Sequence, residues 1–162
     1  MRFLIPGALV VLSVLVLVPE ARAQFDVPPG PFHTFPAVDV DGGIAYASRG
    51  TDWTYLGRAS AGLHLINRQR VAAFTGGFEM LGSAHKAFGL RAELASIKTG
   101  FGIGGGPTMS THGDPGVNLG VGLSALHLEG ILVFGDHSER AIVAYLRLPL
   151  GMIAYSLWGR RE

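Results

Sequence analysis

Residues 55–67 read YLGRASAGLHLIN. The odd positions are Tyr55, Gly57, Ala59, Ala61, Leu63 and Leu65; the even ones are Leu56, Arg58, Ser60, Gly62, His64 and Ile66. Successive side chains of a β-strand point to opposite faces. The stretch therefore reads as a strand with one apolar face and one face that is mostly polar or small.

The same period of two runs along the chain from Ala37. Val38, Val40, Ile44 and Tyr46 alternate with Asp39, Asp41, Gly43 and Ala45. Phe74, Gly76, Phe78 and Met80 alternate with Thr75, Gly77 and Glu79, and Phe88, Leu90, Ala92 and Leu94 with Gly89, Arg91 and Glu93. Late in the chain Ala144, Leu146, Leu148 and Leu150 alternate with Tyr145 and Arg147. Turn signals separate these runs: Arg49-Gly50, Asn67-Arg68-Gln69, Gly82-Ser83, Lys98-Thr99-Gly100, His112 to Gly116, Glu129-Gly130 and Gly135-Asp136. No amphipathic helix pattern competes. Strands are predicted near 37–48, 53–66, 70–82, 86–97, 100–109, 117–128, 131–135 and 141–158. Within 117–128 the apolar parity slips around Ser124, which asks for a bulge or an earlier turn. Pro149-Leu150-Gly151 is a place where the last segment can divide. A meander of this kind has two open edges, and closure removes both. The predicted fold is all-β, a closed antiparallel up-and-down β-barrel of about eight strands.

The start of the chain reads differently. Arg2 is followed by a nearly continuous apolar run, Leu4 to Val18, and Ala21-Arg22-Ala23 has the form of a cleavage site. Residues 1–23 are read as a secretory signal peptide, since the run is short of the roughly 20 residues a spanning helix needs. Residues 24–36 hold four prolines between Phe25 and Pro36 and are expected to form an extended leader. Residues 37–162 then form the barrel domain. Without residues 1–23 the chain carries eleven basic and eleven acidic side chains, so nothing points to a nucleic-acid partner. There is no cysteine, so no disulfide supports the exported chain. Only 15% of residues are charged, against roughly 25% in a soluble domain. A wall that faces lipid accounts for that deficit.

The polar strand faces collect Arg58, Glu79, Arg91, Glu93 and Arg147, with Glu129 and His64 as further members. Three arginines balance three glutamates in sign. The interior of an eight-stranded barrel is only wide enough for side chains. The expectation is a lumen plugged by ion pairs among Arg58, Glu79, Arg91, Glu93, Glu129 and Arg147, with no conducting pore. Trp53, Tyr55, Tyr145, Tyr155 and Trp158 lie near predicted strand ends, where an interfacial girdle belongs.

Other motifs carry less. Gly100, Gly102 and Gly105 in GFGIGGGPT (100–108) fit the spacing of a dinucleotide-binding turn. That turn needs a helix after it, and Pro107-Thr108 begin a loop instead. Phe101 and Ile103 alternate with Gly100, Gly102 and Gly104, so the stretch reads as a strand whose glycines leave room for Arg91 and Glu93 on the preceding strand. Ser83-Ala84-His85-Lys86 and Lys98-Thr99-Gly100 resemble pieces of penicillin-recognising enzymes, but they lie a dozen residues apart with no S-D-N between. His137-Ser138-Glu139 has the residue types of a hydrolytic set, yet consecutive residues do not converge on one point. The six histidines show no metal-ligand spacing. No catalytic residue, cofactor or metal is expected.

The signal peptide, the period of two, the glycine-rich strands and the low charge resemble the small, eight-stranded outer-membrane β-barrel proteins of Gram-negative bacteria, over roughly 37–158. The resemblance implies an exported protein of the cell outer membrane, with lipid as its partner and a structural or surface role without enzymatic activity. Two other readings compete. A soluble, exported, lipocalin-like barrel, periplasmic or secreted, would put its polar face outside and bind an apolar small molecule within. A membrane-embedded lipid-modifying enzyme would need a His or Ser beside a carboxylate at one rim.

Overall fold

A computed structural model of the chain describes residues 31–48, 52–82, 85–151, 153 and 154. The signal peptide, Ser83-Ala84, Tyr155 and Trp158 lie outside the described residues. Eight strands follow in order: β1 (His33–Ala47), β2 (Asp52–Ile66), β3 (Arg70–Leu81), β4 (His85–Ser96), β5 (Phe101–Ser110), β6 (Pro115–Leu123), β7 (Leu126–Val133) and β8 (Glu139–Pro149). Each pairs antiparallel with its sequence neighbours, and β8 pairs with β1, so the sheet is a closed up-and-down barrel. The predicted fold class holds.

The registers fix the shape of the barrel. From Pro36 on β1 they lead through Leu63, Phe74, Ala92, Gly105, Leu119, Gly130 and Ile142 and return to β1 at Tyr46, ten residues further along. With eight strands and ordinary spacings, that stagger tilts the strands about 40° from the barrel axis. At that tilt a run of ten residues rises roughly 25 Å along the axis, the height of the apolar band on a membrane barrel.

Several boundaries differ from expectation. β1 begins at His33, four residues before Ala37, so the end of the leader is already strand. The parity slip near Ser124 is a tight turn: β6 ends at Leu123, β7 starts at Leu126, and Ser124 takes a left-handed conformation, φ 61°. Glu129-Gly130 is consequently not a turn but the middle of β7, where Glu129 faces inward and Gly130 outward. Gly130 misled because glycine marks turns and strand interiors alike. β8 ends at Pro149, where the ring removes the donor that a continued ladder needs.

The two faces separate cleanly. Outward positions are apolar and exposed, as with Leu90 at 64%, Leu119 at 65% and Ile142 at 63%. Among the described residues the outward positions of the strands carry charge only at Arg70, Lys86 and Arg140, each the first or second residue of its strand. Inside, Ala45, Leu56, Leu81, Ile131, Val133, Ala141, Val143 and Tyr145 form one buried cluster. It fills the end of the lumen that carries the β1–β2, β3–β4, β5–β6 and β7–β8 turns, called the loop rim below.

Candidate functional site

The middle of the lumen is filled by charge. Alternation turns Asp41 of β1, Arg58 of β2, Glu79 of β3, Arg91 of β4, Glu129 of β7 and Tyr145 of β8 inward, and all six are buried. Glu93 of β4 and Arg147 of β8 point the same way. The structure brings all six residues of the expected cluster, Arg58, Glu79, Arg91, Glu93, Glu129 and Arg147, into one connected network.

Six of the network's members form a closed ring of alternating sign. Arg58 reaches Asp41 at 3.3 Å and Glu129 at 2.7 Å. Glu129 also accepts from Arg91, whose Nε lies 3.4 Å from Glu93. Glu93 in turn accepts from Arg147, and Arg147 closes the ring on Asp41 at 3.0 Å. Glu79 hangs from Arg58 at 2.7 Å. Each charge of the ring thus has opposite charges on both sides. That condition matters, because an unpaired ion in a low-dielectric interior costs several kcal/mol.

Tyr145 stands within this ring. Its hydroxyl donates to Glu129 at 2.9 Å and accepts from Arg58 and Arg147 at 3.4 and 3.3 Å. The guanidinium carbons of Arg58 and Arg147 lie 5.3 and 5.8 Å from its ring centroid, within cation–π range. His127 stacks on the ring at 5.1 Å. Tyr145 is therefore an interior residue, 1% exposed, and does not belong to an interfacial girdle as expected. Trp53 and Tyr55 do face outward near the loop rim, 71% and 56% exposed.

Glycine makes room for this network. On β5 and β6 the inward Gly104 and Gly120 pair with Glu93 and Glu129. A Cβ on either would lie 3.0–3.1 Å from the glutamate's own Cβ. Across from Tyr145, a Cβ on Gly43 would lie 2.5 Å from the tyrosine Cβ. From Phe101 on, the run GFGIGGGPT is strand β5, while Gly100 is a left-handed turn residue, φ 69°, and no helix follows the run.

Asp41, Tyr145 and His127 belong to the site but not to the cluster expected from sequence. The alternation already placed Asp41 on the face of Arg58. Its importance lies in register: Asp41 pairs directly with Arg58 on one side and Arg147 on the other. His64, anticipated as a further member, is inward but apart from the ring; its Nε2 lies 3.7 Å from Asp39. Ser60, Thr75, Glu79, Arg91 and Asn118 border a cavity of about 20 Å³, room for one water.

A second polar group sits at the loop rim. His137 Nδ1 lies 2.9 Å from Asp114, and the His137 ring stacks on His112 at 4.5 Å. Ser110 Oγ accepts from the backbone N–H of His112 and Asp114. Glu139 faces the buried interior while His137 is exposed, so His137, Ser138 and Glu139 diverge. No group of three or more potential ligands among the described residues is placed to hold a metal ion.

The central ring can hold opposite walls of the barrel together and occupy the lumen. Guanidiniums do not give up protons near neutral pH, and their carboxylate partners are engaged with them. Compared with protein-family models, curated proteins and solved structures, the chain finds no match.

Proposed function

We propose that this protein is an integral outer-membrane β-barrel with a structural or surface role and no enzymatic activity, its lumen plugged by the Asp41–Arg58–Glu129–Arg91–Glu93–Arg147 ring. The observation that carries this reading is the inverted polarity of the wall. Twenty-six large apolar side chains among the described residues are exposed, while the strand charges turn inward except at the strand starts Arg70, Lys86 and Arg140. A typical soluble monomer exposes apolar patches of no more than about 300–600 Å². A continuous apolar belt around a barrel finds its solvent in a bilayer instead. A soluble carrier of an apolar ligand needs the reverse, a polar outside and an apolar cavity, and the filled, charged lumen weighs against it. The signal-peptide pattern of residues 1–23 supports export.

Membrane fractionation combined with gel mobility before and after heating tests the proposal. The expected result is recovery with outer membranes after a high-salt wash, and a faster-running folded form that shifts on boiling. Recovery in the soluble periplasmic fraction with no mobility shift would contradict it and favour the soluble barrel.

A further inference from the structure

The outer wall is not uniform. Leu119, Gly130 and Ile142 are register neighbours on β6, β7 and β8, and all three face outward. Two long exposed side chains thus flank a position with none, which leaves a furrow. The furrow opens at the loop rim, passes over these three residues and continues around the wall over Ile103, Ala92 and Phe74 of β5, β4 and β3. Its walls are apolar. Its mouth is not: Tyr46, Ser48 and Arg140 line the rim end. Arg140 pairs with Leu132 and Tyr46 with Ile142, so both stand directly beside the furrow. The backbone N–H of Arg140 donates to Ser48 Oγ at 3.1 Å. The Arg140 side chain is exposed, and none of the ion pairs among the described residues engages it.

An apolar slot that ends in an exposed cation is complementary to an anionic amphiphile. We infer that the furrow between β6, β7 and β8 is a binding site for a phospholipid of net negative headgroup. One acyl chain lies over Gly130, and the phosphate lies against Arg140 and Ser48. The inference rests on the membrane reading above and adds to it a specific lipid position and the residues that choose the headgroup.

Trp53 reports on the site, because its ring is 5.7 Å from that of Tyr46 at the mouth. The chain has two tryptophans, so Trp158→Phe leaves Trp53 as the sole emitter. The barrel is inserted into phosphatidylcholine vesicles that carry a small fraction of brominated phosphatidylglycerol or, separately, brominated phosphatidylcholine. The anionic lipid is expected to quench Trp53 about fivefold more effectively at equal fraction, the preference one basic side chain at a membrane surface supplies. Arg140→Gln is expected to remove the preference. Gly130→Leu is expected to lower quenching by the anionic lipid without harm to the fold, since a Cβ there meets only the Leu119 carbonyl at 3.8 Å. Equal quenching by both lipids in the parent, or a preference unchanged in both variants, would overturn the site while leaving the membrane barrel intact. So would a dimer that shields Trp53 from either lipid. Failure of the barrel to enter the vesicles would overturn the membrane reading itself.

Discussion

Arg58 is the residue on which most of the interior depends. It bonds three carboxylates, those of Asp41, Glu79 and Glu129, and touches the Tyr145 hydroxyl. Arg58→Met keeps much of its volume but leaves buried Glu79 without the cation it pairs with and strips one partner each from Asp41 and Glu129, which keep Arg147 and Arg91. We expect it to destabilise the folded barrel by about 3–5 kcal/mol, the usual cost of breaking a buried pair from one side. Urea unfolding of the reconstituted protein measures this. Adjacent glycines on β1 make a sharper contrast. A side chain at Gly43 would collide with Tyr145, whereas Gly42 faces outward with nothing within 4 Å. In the same unfolding assay, Gly43→Ala is expected to cost about 1–3 kcal/mol as overpacking, while Gly42→Ala leaves stability near that of the parent. Sequence alone reveals which residues share a face, because alternation decides that, but not which face turns into the lumen. It does not reveal that Asp41 stands between Arg58 and Arg147. That depends on the stagger of three strands, which turn geometry and pairing set together.

At the scale of the strand, β7 is the informative element. Its period of two is strict, with Leu126, Leu128, Gly130 and Leu132 outside and His127, Glu129, Ile131 and Val133 buried. Sequence reading does not yield it as a unit, because Glu129-Gly130 has the form of a turn. The early strands are legible because Arg, Glu and large apolar residues alternate without interruption. β6 and β7 are not, because Ser124 and Ala125 turn the chain without Gly, Pro, Asn or Asp, and Ser124 takes a positive φ that serine rarely adopts. The apolar side of β7 gives a depth-dependent prediction. Leu128→Lys, in the middle of the wall, is expected to cost about 2–4 kcal/mol in a bilayer, and Leu132→Lys, near the loop rim, about 0–1 kcal/mol. Denaturant titration in vesicles compares the two. Equal costs would mean that the wall meets no hydrocarbon gradient.

For the whole molecule, closure and polarity belong together. Eight strands with a stagger of ten residues enclose a lumen that the Tyr145-centred ring and the apolar cluster at the loop rim fill with side chains. The charges that ring holds are then absent from the outside, where the apolar belt runs unbroken from Arg70 at one end to Lys86 and Arg140 at the other. The central claim is that this belt faces lipid. The chain has no cysteine, so single cysteines along β7 carry a spin label at one known place each. In vesicles, labels at 126, 128 and 132 are expected to be relaxed by oxygen, which concentrates in hydrocarbon, and shielded from a water-soluble nickel chelate; labels at 131 and 133 are expected to be shielded from both. Collision of the nickel chelate with labels at 126, 128 and 132 would contradict the claim.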